Sequence, residues 1–300
     1  MAAKQLPSEG WPDGQKPAPG PALPAGLVPG GDVDSAGFPW EGRTFDHHGT
    51  AFAGDDGTTP DAVASAVARV RDAGERSSGG DAAALRELAE AHADAVAAFG
   101  AERFLVALIA EAGELGETPE GRIVEKTQEL SIVTVAAPDG RRVLPIFTSV
   151  ETMQRWHPEA RPIPVPGAQA ALAAAQENTD LVMIDAATPE REYGVRRTAL
   201  EAFALGNRVL PGWADPEVGE AFALTIAGEP DVLGIALEPG DPLARLIAPE
   251  IRVVLTLAPG LDRAALDALL ARMQQRWAES ALIADRVDSM TVSLRGPGQG

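Results

Sequence analysis

Apolar residues recur at helical spacing where the folded part of the chain begins. Val63, Val67 and Val70 fall on one helical face after Pro60, which fits the first position of a helix. A second helix is predicted from 81 to 100, because Asp81 suits its start and Gly100 its end. The folded body is therefore expected to open with two helices.

Continuous apolar runs then predict strands. The run 104–110 is apolar throughout and bounded by polar residues, which is typical of a strand covered on both faces. Two further runs, 132–135 and 143–147, flank Asp139-Gly140 and predict a β-hairpin. A buried strand is expected at 181–184.

Capping signals and prolines set the elements between these strands. Thr148 with Glu151, and Thr198 with Glu201, have the spacing of a capping box and predict helix starts. The alternating prolines of 161–166 predict an extended segment. A helix is predicted to follow it at 167–177, and another to end at Gly206.

The pattern after Leu210-Pro211-Gly212 predicts a smaller unit of strand, loop, strand, helix and strand. Its strands are expected at 232–237, 251–257 and 287–294, and Asp262 is expected to cap its helix. Residues 1–50 are rich in Pro and Gly without apolar periodicity, which predicts a disordered tail. The predicted domains are 51–212 and 213–295, and 296–300 is predicted to be a flexible tail.

This order of elements predicts an α/β (α+β) fold. The N-terminal domain is expected to form a mixed sheet with packed helices, and the C-terminal domain to be a smaller α+β unit. We see no internal repeat in the sequence.

The composition limits the classes of partner that the chain can bind, and it says little about a catalytic activity. The formal net charge of −19 disfavours nucleic acid and anionic lipid surfaces as partners, since both are negatively charged. The absence of cysteine, of a signal-peptide pattern and of a long apolar run predicts a soluble cytoplasmic protein. The acidic surface is interpreted either as serving solubility alone or as a binding face for a basic protein partner.

Segments between 132 and 210 carry a resemblance to a known family. They are Thr134-Val135, Pro138 to Arg142, Leu144 to Ser149, Trp156, Arg161 to Val165, Leu181 to Asp185 and Thr198 to Gly206. In this order they closely resemble the N-terminal domain of the SseB family, named for enhanced serine sensitivity. Phe52 to Gly57 resembles the opening of actinobacterial members, and 213–295 looks like the second domain of the family.

The resemblance implies a fold and a loose link to serine tolerance, and it implies no established reaction. It covers about residues 50–295. The charged segment 186–192, which follows the strand ending at Asp185, departs from the tighter turn expected there.

The sequence offers no recognised catalytic constellation, phosphate loop or nucleotide fingerprint, so no cofactor is predicted. Metal binding is not predicted either. His92 lies on the apolar stripe of its helix and is interpreted as a core residue, and His47-His48 lies in or beside the tail.

Two sets of residues are candidates for binding. Phe147, Trp156 and Arg161 are a predicted partner-binding surface, because Trp and Arg are common interface anchors. The alternative for Trp156 is a core position at the end of its helix.

Asp185, Arg196 and Arg197 are a predicted ligand site. Asp185 ends an apolar strand, where α/β proteins often bind ligands, although it could instead cap the next turn. In this hypothesis Asp185, together with Arg196 or Arg197, holds the two charges of an amino acid.

The leading hypothesis is a non-catalytic regulatory or adaptor protein that binds another, unidentified protein. The alternatives are a small-molecule (amino-acid) sensor or enzyme, and a secretion-associated accessory protein. The sequence leaves a homo-oligomer open.

Overall fold

The computed structural model describes residues 52, 54–111, 115–117, 123–125, 129–132, 134–137, 140–176, 179 and 181–298. From Asp56 to Gly300 the chain forms one compact unit. The predicted tail 1–50, with His47 and His48, lies outside the described residues. The division into domains at about residue 212 stays a prediction.

In the described chain two helices come first, six strands follow them, and helices and strands are interspersed from α3 onwards. The helices are α1 (Asp61–Ser77), α2 (Ala82–Ala101), α3 (Val150–Trp156), α4 (Gly167–Gln176), α5 (Leu200–Leu205), α6 (Pro216–Thr225), α7 (Arg263–Glu279) and α8 (Ala281–Arg286). The strands are β1 (Arg103–Glu111), β2 (Leu115–Glu117), β3 (Ile123–Glu125), β4 (Glu129–Ile132), β5 (Val135–Ala136), β6 (Arg142–Phe147), β7 (Arg161–Pro166), β8 (Leu181–Ile184), β9 (Tyr193–Val195), β10 (Val232–Pro239), β11 (Ile251–Leu257) and β12 (Met290–Arg295). One 3-10 turn, Arg197–Ala199, precedes α5.

Aspartate side chains cap the starts of three helices, whereas α1 has Pro60 at its N-cap and no side-chain cap. Asp81 accepts hydrogen bonds from the first free N–H groups of α2, and Asp262 does the same for α7. Asp215 caps α6, whose first residue is Pro216. The predicted starts at Asp81 and Asp262 are confirmed.

The larger sheet is mixed and has strands in the order β4-β1-β6-β8-β9, with β7 also paired to β1 and β5 to β6. β6 and β8 run parallel, and the other pairs are antiparallel. β2 and β3 form a separate antiparallel pair. The pairing of β5 with β6 confirms the predicted hairpin, although Asp139 lies outside the described residues.

β1 is covered on both faces, as its apolar sequence predicts. Phe104 and Val106 belong to the main core with α1, α2, α4 and α5. Leu105 and Ala107 belong to a smaller cluster on the other face, which also contains Phe147 and Met153.

A three-stranded sheet of order β10-β11-β12 forms the C-terminal part. β11 pairs antiparallel with β10 and parallel with β12. Alternate residues of β11 pack against α6, α7 and α8 around Phe222, Met273 and Trp277. The predicted α+β fold class is confirmed.

Both predicted capping boxes are wrong. Asp185 accepts hydrogen bonds from the N–H and hydroxyl groups of Thr148, so the capping box of α3 forms one residue later, between Ser149 and Thr152. α5 begins after the 3-10 turn, with Ala199 at its N-cap and no side-chain cap.

Some elements of the structure were not predicted or lie elsewhere than predicted. α6 was not predicted, and neither was the short strand β9. α2 continues past Gly100 and ends at Ala101. The predicted end of α5 at Gly206 is confirmed, because Gly206 adopts the left-handed conformation with φ of 64°.

Candidate binding cleft

A cleft of about 460 Å³ lies where β9 and α5 meet the start of the C-terminal part. A cleft of this size is in the range of ligand sites in proteins. Its lining comes from 193–199, 201–202, 205, 207–213 and 285–286, together with single residues of other segments: His92, Val96, Asp215, Asp241, Ala244 and Glu250. We call this feature the β9–α5 cleft.

The floor of the β9–α5 cleft contains a buried histidine that is fully hydrogen-bonded. His92 Nδ1 lies 2.9 Å from the hydroxyl of Tyr193, and Nε2 lies 3.1 Å from the carbonyl O of Pro242. Burial lowers the pKa of His92 to about 4 and raises the pKa of Tyr193. The imidazole is therefore neutral at pH 7, as expected for a core histidine.

Arg196 anchors a buried ion-pair network beside this histidine. Its guanidinium donates to Asp241 at 2.7 Å and to Asp288 at 3.1 Å, and all three side chains are less than a tenth exposed. It also donates to the carbonyl O of Ala248 and to the hydroxyl of Ser289. These contacts occupy Arg196 and connect the strand β9 to the C-terminal part.

Glu250 completes the polar floor. Its two carboxylate oxygens accept hydrogen bonds from the N–H groups of Gly212 and Asp288, both at 2.9 Å. Burial raises the pKa of this carboxyl despite those two bonds. The floor groups thus have partners within the protein, so the groups available to a ligand lie at the rim.

Seven exposed lining residues form the rim: Arg197, Glu201, Leu205, Asn207, Arg208, Asp285 and Arg286. Arg208 pairs with Glu90 and Asp94. Arg286 pairs with Asp215 at 3.0 Å and Glu217 at 2.8 Å.

Arg197 and Leu205 are the distinctive residues of the rim. Arg197 donates to the carbonyl O atoms of Ala284 (3.2 Å) and Asp285 (3.5 Å) at the end of α8, and it contacts no carboxylate in the described part of the chain. Leu205, at the last position of α5, is 64% exposed.

The predicted ligand site is divided between two places. Arg196 and Arg197 both line the β9–α5 cleft, whereas Asp185 is not among its lining residues. Asp185 is 1% exposed and accepts from the N–H and hydroxyl of Thr148 and from the hydroxyl of Thr152. Burial raises its pKa. Asp185 thus connects β8 to the start of α3.

The predicted partner-binding surface is also divided. Phe147 is fully buried, and the ring of the partly exposed Trp156 stacks on it at 5.3 Å between centroids. In the register of β7 with β1, Arg161 lies opposite Leu108, whereas Phe147 lies opposite Leu105 in the register of β6 with β1. The side chain of Arg161 therefore projects from one face of the sheet, and those of Leu105 and Phe147 project from the other face. The structure thus brings Phe147 and Trp156 together and separates them from Arg161.

Sequence reasoning missed Leu205, Trp213 and the carboxylates that hold Arg196. Leu205 was assigned only to a helix, and Trp213 only to a region near a domain boundary. Their common location depends on contacts between segments more than 40 residues apart, such as Arg196 with Asp241. The Leu210-Pro211-Gly212 turn gives a local signal near the cleft, as does the Arg196-Arg197 pair.

Metal and membrane sites were also sought in the described residues. No group of three or more His, Asp or Glu side chains there is arranged to hold a metal ion. None of the helices that the structure describes is long and apolar enough to cross a membrane.

Comparison with known proteins gave one match. Residues 82–202 match the model of the SseB protein N-terminal domain, from the first residue of α2 into α5. No curated protein and no solved structure matched the chain. The resemblance of 213–295 to a second SseB domain, and to actinobacterial members, stays a prediction. The segment from α2 to α5, which contains Arg196 and Arg197, is therefore similar to the SseB protein N-terminal domain.

Proposed function

We propose that this chain is a regulatory or adaptor-like protein that binds a segment of another protein in the β9–α5 cleft. The observation that carries the proposal is the exposure of Leu205, 64%, at the rim of a cleft that also presents Trp213 and arginine side chains. Covering an exposed leucine is favourable, and Trp and Arg are the residues most enriched at the energetic centres of protein interfaces.

Binding by strand addition is disfavoured at one edge of the larger sheet. Gly167 N–H donates to the carbonyl O of Glu102, so odd-numbered residues of β7 direct their N–H groups at β1. The outward positions are then Pro162, Pro164 and Pro166, which have no N–H to offer an added strand.

The edge strand β9 is covered as well. Gly194 N–H donates to the carbonyl O of Ala244, in the connection between β10 and β11. A partner therefore finds few free backbone donors at these two edges, which supports recognition by side chains in a cleft.

Two leucine variants test this proposal. Leu205 and Leu172 are both exposed leucines on helices of the same layer, and Leu172 does not line the cleft. We expect the tagged full chain, purified from its own host, to retain a specific protein that is lost with Leu205→Glu and kept with Leu172→Glu. Loss with both variants, or with neither, would contradict binding in the cleft.

A second candidate function is an amino-acid sensor, and the rim charges favour it. Arg197 lacks a carboxylate partner among the described residues, and Glu201 and Asp285 line the same cleft. These groups offer complementary charges to a zwitterion.

A thermal shift screen tests the sensor. A ligand present at 100 times its Kd stabilises a protein by about 2.7 kcal/mol, which raises the Tm measurably. The sensor predicts a rise for at least one of the common amino acids that disappears in Arg197→Gln and persists in Arg161→Gln. An unchanged Tm across all of them would exclude it. Cytoplasmic location remains a prediction from the composition, and a link to serine tolerance remains a prediction of the resemblance.

A further inference from the structure

Three charged side chains at the rim of the β9–α5 cleft form no ion pair in the described part of the chain, although the carboxylate of Asp285 also interacts electrostatically with Arg286. Arg197 bonds only to the carbonyl O atoms of Ala284 and Asp285. The carboxylates of Glu201 and Asp285, both exposed, accept no hydrogen bond and form no ion pair among the described residues. The other rim arginines, Arg208 and Arg286, are each paired with two carboxylates.

The separation of Arg197 from Glu201 is unusual for their spacing. Residues four apart on a helical segment lie on the same face, where arginine and glutamate commonly pair. Here no ion pair joins them, since Arg197 lies in the 3-10 turn before α5 and its guanidinium donates to carbonyl O atoms at the end of α8. Both charges therefore stay available to a ligand of opposite charge.

From this arrangement we infer that the cleft recognises a partner segment in which an acidic and a basic side chain flank an apolar one. The inference rests on the proposed protein-binding function. The acidic side chain pairs with Arg197, the basic side chain with Glu201 and Asp285, and the apolar side chain covers Leu205. Each pairing replaces the hydration of an exposed charge with a charge-assisted hydrogen bond.

Charge complementarity selects this occupant over two simpler ones. A purely acidic segment would bring its carboxylates close to Glu201 and Asp285, on a chain whose net charge is −19. A purely basic segment would face Arg197 and the two paired rim arginines. A segment of mixed charge meets neither repulsion.

Four pools of fluorescein-labelled dodecapeptides test the inference with the full chain. All positions are randomised over uncharged residues except a fixed core, which is Asp-x-Leu-x-Lys in the first pool. The second pool replaces Asp by Asn, the third replaces Lys by Gln, and the fourth makes both changes. Binding is measured by fluorescence anisotropy as the protein is titrated.

The wild-type chain is expected to bind the first pool about tenfold more tightly than the second or the third. Arg197→Gln should bring the first and second pools within about twofold and leave the preference for Lys unchanged. Glu201→Gln combined with Asp285→Asn should remove the preference for Lys and keep the preference for Asp. Arg197→Lys, which retains the charge, should preserve part of the Asp preference.

Several outcomes would overturn the inference. Equal binding of the four pools by the wild-type chain would overturn it, and so would no binding of the first pool. An equal loss of affinity for all four pools in Arg197→Gln would also overturn it, because Arg197 would then have a structural role only. If Leu205→Glu loses the host partner while the wild-type chain binds the four pools equally, the proposed function stands and the inferred preference for a segment of mixed charge fails. If Leu205→Glu keeps the host partner, the proposed function itself fails.

Discussion

His92 illustrates how a single residue is fixed by its surroundings. Tyr193 and the carbonyl of Pro242 occupy both ring nitrogens, Trp213 packs edge-on to the ring, and the charges nearby are Asp241 and Arg196. Burial disfavours the charged form of His92 more than the nearby carboxylate of Asp241 favours it. The pKa of His92 therefore falls to about 4. The unfolded chain, with an ordinary histidine pKa of about 6.5, binds that proton far more readily.

The first prediction concerns pH. Since the folded pKa of His92 is depressed, its contribution to stability is fully present above pH about 6.5 and is lost as the pH falls towards 4. The loss should reach about 3 kcal/mol near pH 4. Urea unfolding across this range should show that loss relative to His92→Gln, which has no titrating ring. Parallel stability curves for the two proteins would contradict a neutral buried His92.

A second prediction concerns Asp185, whose φ of 51° is in the left-handed region that asparagine tolerates. Asp185→Ala should cost about 3 kcal/mol, because it leaves the buried N–H of Thr148 without an acceptor. Asp185→Asn keeps an acceptor oxygen and should cost about 1 kcal/mol. Denaturant unfolding measures both values. Equal costs for the two variants would show that the hydrogen bonds from Thr148 and Thr152 contribute little.

At the scale of elements, close approach of backbones fixes the layer of helices on the larger sheet. A Cβ added at Gly167, the first residue of α4, would overlap the carbonyl O of Phe99 in α2 and lie 3.1 Å from the ring of Phe203 in α5. Gly167 therefore allows three helices to meet. Gly219, inside α6, has no such neighbour within 4 Å.

These two glycines give a matched prediction. Gly167→Ala should destabilise the protein by about 2 kcal/mol, because backbone atoms have to move apart. Gly219→Ala should stabilise it by about 0.5–1 kcal/mol, because alanine loses less backbone entropy in a helix. Thermal unfolding of both variants measures the difference. A neutral Gly167→Ala would mean that α4 is free to shift.

How far the sequence predicts these elements depends on the range of the contacts that form them. β1, the β5–β6 hairpin and the capped helices α2 and α7 follow from local patterns, and all were predicted. β9 has three residues, too few for a periodic signal, and is held by β8 and by Ala244 some 50 residues away. The caps of α3 and α5 were misassigned because Asp185 and Arg196 bind distant groups there.

The cleft could be predicted only in part for the same reason. Arg196 and Arg197 were recognised as candidates, but their different roles depend on which side chains lie opposite. Asp241 and Asp288 neutralise Arg196, and carbonyls of α8 orient Arg197. No local pattern connects these segments.

At the scale of the whole molecule, the connection between β10 and β11 joins the two sheets. It contributes Asp241 to Arg196, the carbonyl of Pro242 to His92 and the carbonyl of Ala244 to β9. Ala244 and Leu246 both have positive φ values, 49° and 56°. The connection therefore contains two left-handed backbone conformations that are energetically unfavourable for residues other than glycine. The β9–α5 cleft lies beside this junction.

A fourth prediction tests the junction. Arg196→Ala leaves Asp241 buried without a cation, whereas Asp288 keeps its ion pair with Arg141, and the variant should cost about 3–5 kcal/mol. Arg76→Ala removes an arginine from an exposed pair with Glu87 and should cost less than about 1 kcal/mol. Denaturant unfolding distinguishes the two. A small loss for Arg196→Ala would show that the sheets are joined mainly by apolar contacts.

The cleft is the part of this molecule where an exposed leucine, a tryptophan and an arginine without a carboxylate partner among the described residues come together. Hydrogen exchange of the full chain, with and without the protein captured from its host, tests most directly whether a partner binds there. The account predicts slower exchange of amides in 197–213 and in α8 upon binding. Slower exchange confined to α3, around Trp156, would contradict it and would place the partner outside the cleft.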